Sequence, residues 1–285
     1  MYEQVVQWFP GHMAKTRRLI KESLSMVDAV TEILDARVPL SSQNPELSEM
    51  IGNKPRIILL NKCDLADENA TARWVKKFET SGYYALPVDC RSGKGINKYH
   101  VVVREALKEK IKLNEEKGMA GKALRVMVVG IPNTGKSSFI NRMAGKNRAK
   151  VADRPGVTRQ NQWFAIGNGI ELLDTPGVLW PKFEDPAVGD KLAFIGSVKG
   201  EILDSEIMAY KLLDVMKADY ADRLEQRYGI AVKPYDLTDE ILESIGRKRG
   251  MLMGGGVVNT ERTSNMLLDE YRNGKLGRIT LDSLN

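Results

Sequence analysis

Residues 130–137 read Gly130-Ile131-Pro132-Asn133-Thr134-Gly135-Lys136-Ser137, directly behind the apolar run Leu124-Arg125-Val126-Met127-Val128-Val129 and ahead of Ser138-Phe139-Ile140. This spacing predicts a buried strand, a glycine-bearing turn and the start of a helix. The glycines let the backbone curl so that successive N–H groups point inward, and the helix offers its positive N-terminal end to an anion. The reading is a phosphate-binding loop. Asn133, Thr134, Gly135, Lys136, Ser137 and Ser138 would surround the phosphates, Lys136 reaching the β- and γ-phosphates and the Ser137 hydroxyl ligating Mg2+. A glycine-rich turn that merely spells the pattern would need neither the strand before it nor the helix after it.

A phosphate loop does not say which nucleotide is bound. Upstream, Ile57-Ile58-Leu59-Leu60 is a second buried-strand run, and it ends in Asn61-Lys62-Cys63-Asp64, the guanine-reading pattern Asn-Lys-x-Asp. A carboxylate at Asp64 can accept hydrogen bonds from guanine N1–H and N2–H2, a donor pair that adenine does not present on that edge. Lys62 and Asn61 would brace the pocket. Downstream, Asp174-Thr175-Pro176-Gly177 follows the apolar strand Ile170-Glu171-Leu172-Leu173. Asp174 then belongs just outside the direct ligands of Mg2+, and the Gly177 N–H is placed to meet the γ-phosphate. Between these motifs, Arg154-Pro155-Gly156-Val157-Thr158-Arg159 is a loop whose Thr158 can close over the metal only when the γ-phosphate is present, which makes it the expected switch. Ordinary small GTPases carry the phosphate loop first and the guanine motif late. Here the order is reversed, so the chain is circularly permuted.

This order, with the N-terminal Gln7-Trp8-Phe9-Pro10-Gly11-His12-Met13 and with Asp35-Ala36-Arg37-Val38-Pro39, resembles the ribosome biogenesis GTPase A family of circularly permuted bacterial GTPases. The likeness runs nearly end to end, strongest from 7 to 180 and still visible at Arg247-Lys248-Arg249-Gly250. It implies GTP hydrolysis coupled to a late step of large (50S) ribosomal subunit assembly, with GTP-dependent binding to rRNA and ribosomal proteins. GTP/GDP and Mg2+ are the implied ligands, and turnover is expected to be slow until the assembling subunit completes the site. The likeness also sets Asp89-Cys90-Arg91-Ser92-Gly93 where the family carries its Ser-Ala-Lys element, whose middle backbone N–H meets guanine O6. Cys90 keeps such a donor, while Asp89 departs from the family's Ser. In related GTPases an Asn at the place of Asn133 helps bind K+ beside the phosphates, so K+ stimulation is expected; a loop-shaping Asn is the alternative.

One residue type is missing. In switch GTPases a Gln directly after the Gly of Asp-x-x-Gly orients the attacking water, and Val178 stands there instead. His12, one of two histidines and preceded by Gly11, can hydrogen-bond a water or titrate near neutrality, so it joins Lys136, Thr158 and Gly177 as a candidate catalytic group. Two alternatives stay open: His12 caps the following helix, or the ribosome supplies the group.

The 285 residues suffice for one large domain or two smaller ones. No apolar run approaches the roughly 18 to 20 residues of a membrane span, and the N-terminus lacks the apolar core of a signal peptide, so a cytoplasmic protein is expected. Cys63 and Cys90 fit a reducing compartment and give no metal spacing. Net charge is +6 from 43 basic and 37 acidic residues; from 200 onward there are 12 basic and 15 acidic, leaving 31 and 22 before it. The nucleotide half therefore carries the positive surplus, which suits a polyanion such as RNA as well as a merely solvated surface.

Residues 13–26 predict an amphipathic helix with Lys15, Arg17, Arg18 and Lys21 outward, either solvated or touching RNA phosphates. Strands are expected over 29–34 and 84–89, a helix over 69–80 and a long helix over about 95–116, with a polar loop marked by Pro39, Ser41, Ser42 and Pro45. Arg37 sits at a strand's C-terminal end, facing either a ligand or an ion pair with Asp35. Beyond Trp180-Pro181 and Asp185-Pro186 the periodicity turns helical, with Thr238 expected to cap one helix and another expected over 259–272. The expected architecture is a mainly parallel α/β sheet with helices on both faces over 1–181, then an all-helical domain over 182–285. The expected solution state is a monomer. Two other functions remain open at this stage: a GTPase of another RNA client, and a nucleotide-gated RNA-binding module with negligible turnover, which Val178 permits.

Overall fold

A computed structural model describes residues 13–145, 162–177, 183–198 and 203–284. Trp8, Phe9, His12, the loop 154–159 with Thr158, Val178 and Trp180-Pro181, for which roles are expected above, lie outside the described residues. Two compact units emerge: Phe183–Ile279 forms one, and the described residues up to 177 form the other together with 280–284. Those last residues thus belong with the first unit, whereas the sequence reading gave them to the second.

The first unit holds α1 (Met13–Leu24), β1 (Ala29–Asp35), α2 (Pro45–Ile51), β2 (Arg56–Asn61), α3 (Glu68–Thr80), β3 (Tyr84–Pro87), α4 (Tyr99–Ala106), α5 (Lys108–Glu116), β4 (Leu124–Gly130), α6 (Lys136–Ala144), β5 (Gln162–Ala165) and β6 (Ile170–Asp174). The sheet order is β3-β2-β1-β4-β6-β5, parallel except for β5, which runs antiparallel to β6. The phosphate-loop strand β4 is central although three strands precede it in the chain, which is the permutation read from the motif order. Both β1 and β2 are buried at every position, as parallel strands covered on both faces must be. Alternate residues feed opposite layers. Ile33, Ile57, Leu59, Val126 and Val128 pack with Tyr99 and Phe139, while Val30, Met127 and Val129 pack with Ile20, Leu24, Leu47 and Ile51. Register then aligns the strand ends: Asp35 pairs with Asn61, Ile33 with Gly130, and Val128 with Asp174. All the motifs leave the sheet at its C-terminal edge, where ligands of such folds bind.

Three local expectations are revised. The helix expected over 95–116 breaks at buried Leu107, whose φ of −111° interrupts α4 and α5. The polar loop ends at Pro45, where α2 begins with the Asn44 side chain accepting the Glu46 N–H at 3.0 Å. Thr238 does not cap; Leu237 holds that position, and the Thr238 hydroxyl bonds Asp214 and accepts from Lys217 Nζ at 2.8 Å.

The second unit contains α7 (Pro186–Phe194), α8 (Ser205–Asp219), α9 (Ala221–Tyr228), α10 (Thr238–Lys248) and α11 (Thr260–Arg272). Within the 247–249 basic run the three side chains diverge. Arg249 turns inward over the Tyr228 ring and towards Glu270, Arg247 pairs with Glu243, and Lys248 is exposed. On α1, Arg17 pairs with Glu46 and Arg18 with Glu22, leaving Lys21 exposed. Among the described residues no helix is long and apolar enough to cross a membrane.

Candidate nucleotide site

The phosphate loop is shaped by positions that exclude side chains. A Cβ on Gly130 would lie 2.8 Å from the Ile33 carbonyl oxygen, so β4 and β1 close up here. Asn133 has φ of 64° and Gly135 φ of 95°, a left-handed pair that curls the loop before α6 begins. The Thr134 hydroxyl donates to the Ile131 carbonyl at 3.0 Å and ties the curl to itself. The first-turn N–H groups of α6 have no acceptor within their own helix and suit an anion.

Asn61 is the hub. Its Nδ2 donates to the Thr134 carbonyl at 2.6 Å, and its Oδ1 accepts the Cys90 N–H at 3.0 Å. One buried amide thus joins the phosphate loop, the β2 end and the loop after β3. A Cβ at Gly135 would collide with that amide, so Gly135→Ala must displace Asn61 as well as strain the backbone. We expect at least ten-fold weaker nucleotide binding, measured by titration of a fluorescent GTP analogue; unchanged affinity would show that the hub is dispensable.

Lys62 reaches the Asn133 carbonyl at 2.7 Å and the Asp35 carboxylate at 2.9 Å. Asp35 also takes Arg37 through two bonds, Nε at 2.9 Å and Nη2 at 2.8 Å, so Arg37 serves the ion pair. Burial alone would raise the Asp35 pKa, but Arg37 and Lys62 outweigh it and hold the carboxyl well below its ordinary range. Asp64, two residues on from Lys62, is exposed and makes no hydrogen bond among the described residues. It is free to take a ligand.

In the loop after β3 the Cys90 N–H, expected to meet a base, donates to Asn61 Oδ1. Asp89 accepts the Arg91 N–H at 2.8 Å and the Ser92 N–H at 3.2 Å, replacing a Ser by a carboxylate that folds the turn onto itself. Burial tends to raise the Asp89 pKa, yet the Ser92 hydroxyl and these N–H donors bring it below normal. Burial, helped by Asp89, pushes the Cys90 thiol up to about 12, so it stays protonated. One contributor escaped the sequence reading: Arg142 of α6 bonds the Cys90 carbonyl at 3.3 Å and also the Arg91 carbonyl. No local pattern marks it, because its partners lie 51 and 52 positions away.

On the phosphate side Lys136 pairs with Asp174, and both are nearly buried, at 7% and 5% exposure. Burial presses the Lys136 pKa down and Asp174 opposes it. The Thr175 hydroxyl donates to the Val128 carbonyl at 2.8 Å, and a Cβ on Gly177 would meet the Pro132 nitrogen at 3.3 Å. The Asp174–Gly177 segment therefore lies on the phosphate loop. Ser137 and Asp174 are the described candidate metal donors, and among the described residues no cluster of three or more His, Cys, Asp or Glu could hold a metal. Mg2+ keeps several waters and takes phosphate oxygens, so it needs few protein ligands. His12 and Thr158 fall outside the described residues.

The family model described as 50S ribosome-binding GTPase matches residues 125–230. Ribosome biogenesis GTPase A of Bacillus cereus is 46% identical over 98% of this chain and 94% of its own length, and that of Priestia megaterium 48% over 97% and 96%. The chain belongs to the ribosome biogenesis GTPase A family. A GDP-bound structure of Thermotoga maritima YlqF is similar to it, with a TM-score of 0.66 and 29% identity over 92% of this chain and 97% of that one. Family membership makes the protein a GTP hydrolase and a ribosome biogenesis factor, on a permuted P-loop GTPase fold. The buried Asn61 amide joins the loop after β3 to the Gly130–Ser137 loop of that fold.

Proposed function

We propose that this GTPase acts on the maturing large ribosomal subunit, binds its rRNA and proteins in the GTP-bound form, and works as a monomer between encounters. The observation that carries the reading is Asn61, which ties the loop bearing Asp64 to the loop bearing Lys136, so that one guanine nucleotide spans both. Relatives named for ribosome biogenesis, and a matching model described as 50S ribosome-binding, support the client.

In this reading Asp64 accepts guanine N1–H and N2–H2, and the loop from Asp89 to Arg91 lines the O6 side of the base. Asn61 and Lys62 fix the loops. Lys136 exchanges Asp174 for β- and γ-phosphate oxygens, the N–H groups of Thr134 to Ser138 surround the phosphates, and the Gly177 N–H donates to the γ-phosphate. Ser137 and Thr158 would hold Mg2+, with Asp174 behind them; the ion supplies positive charge where negative charge develops in phosphoryl transfer. Asn133 would assist K+ beside the phosphates. His12 or a ribosomal group would place the water.

The test is GTP turnover with and without added large-subunit precursors, in K+ and in Na+, for the unaltered chain and for His12→Ala. Stimulation by subunits of at least ten-fold, greater in K+, and loss of that turnover in His12→Ala at unchanged GTP affinity are expected. Equal rates with and without subunits would remove the ribosomal client as trigger.

A further inference from the structure

The last residues of the chain are not a loose end. Past Ile279, the Leu281 N–H donates to the Arg37 carbonyl at 2.7 Å, and the Asp282 carboxylate takes the Ser41 N–H at 2.8 Å and the Ser41 hydroxyl at 2.7 Å. The Trp74 indole donates to the Asp282 carbonyl at 3.2 Å, and Leu284 packs against the cluster of Trp74 and Phe78. Three residues on from Asp64, the Asp67 N–H donates to the Thr280 hydroxyl at 3.1 Å. Thr280, Asp282 and Ser41 are buried, at 7%, 4% and 2% exposure.

The contacts with Arg37, Ser41 and Asp67 fall on the two loops that leave β1 and β2, and those with Trp74 and Phe78 fall on α3. The loop from Asn61 to Asp67 carries Asp64 at its middle. Its first end is pinned by Asn61 and Lys62. Its second end is pinned by Asp67, which caps α3 through the Ala70 N–H at 2.7 Å and presents its own N–H to Thr280. The Arg37 carbonyl that accepts Leu281 belongs to the residue pairing with Asp35, which in turn holds Lys62. A carboxylate that must meet two donors of a planar base at once needs both ends of its loop fixed.

We infer that the C-terminal segment 280–284 is a positioning element of the guanine pocket, holding Asp64 where it can accept both guanine donors. The inference rests on Asp64 as base reader. Since Thr280 directly follows the helical unit, whose last residue is Ile279, the pocket is completed by chain that passes through that unit first.

The experiment compares binding of GDP and inosine diphosphate, which lacks the N2 amine, by the full chain and by Thr280→Val, Asp282→Ala and Asp64→Ala, with thermal melts alongside. Thr280→Val keeps the volume and removes the acceptor for the Asp67 N–H, and it is the variant expected to stay folded. The preference for GDP over inosine diphosphate should fall about three- to ten-fold in Thr280→Val and further in Asp282→Ala. A segment that only adds stability would lower the melting temperature and leave that ratio alone. A preference that Asp64→Ala abolishes and folded Thr280→Val retains would overturn the inference while leaving the base-reading assignment standing. Equal binding of the two diphosphates by the unaltered chain would overturn both.

Discussion

Asp64→Asn should weaken GTP binding by about a hundred-fold or more and raise affinity for xanthosine triphosphate above that for GTP. The carboxylate presents acceptors to N1–H and to N2–H2, and hydrogen bonds to a charged partner contribute about 1.5–3 kcal/mol each, so losing one and reducing the other to a neutral bond amounts to about two decades of affinity. An amide keeps one acceptor and sets a donor against the exocyclic amine. Xanthine carries a carbonyl there, which the amide N–H can meet. Because Asp64 is exposed and bonds nothing among the described residues, its replacement should leave thermal stability within about 0.5 kcal/mol. Titration of the variant with both triphosphates decides it: retained GTP preference would mean that the base is read elsewhere.

What the sequence made legible follows from how local each signal was. The strands β2 and β4 carry short apolar runs, Ile57–Leu60 and Val126–Val129, each ending in a motif-bearing turn, and that length and setting mark strands covered on both faces, so the central sheet and the permuted order of its motifs could be read directly. Gly130 and Gly135 were readable as the glycines of the loop pattern, although what each one's missing side chain makes room for, the Ile33 carbonyl and the Asn61 amide, was not. The α2 start was available too, in Asn44-Pro45, but Ser41 and Ser42 drew attention to a loop instead. What stayed hidden was long-range. Arg142 looks like any exposed helix arginine until α6 is packed beside the loop after β3. Asp282 looks like a tail residue until it meets Ser41, 241 positions earlier. That the Cys90 N–H donates to Asn61 was hidden too, because no alternation in the sequence around 89–93 carries that information. The Asp35–Arg37 pair was one of two open readings, and burial selected it: a guanidinium at 1% exposure must be paired.

Lys136→Ala is the second large effect, and it has two separable parts. In the structure the ammonium and the Asp174 carboxylate satisfy one another while nearly buried. Removing the lysine leaves a buried carboxylate without its counter-charge, a loss of about 3–5 kcal/mol in stability. It also removes the positive charge meant for the β- and γ-phosphates, so GTP affinity should fall by at least a hundred-fold and turnover should vanish. Adding Asp174→Asn to Lys136→Ala separates the two. The neutral amide no longer needs a cation, so most of the lost melting temperature should return, while nucleotide affinity should stay low because nothing has replaced the ammonium. The cycle of wild type, both single variants and the double variant thus assigns the stability cost to the ion pair and the binding cost to the phosphate contact. If the double variant recovered GTP binding together with its fold, Lys136 would be a structural counter-charge to Asp174 and the phosphates would have to be held by the loop backbone alone.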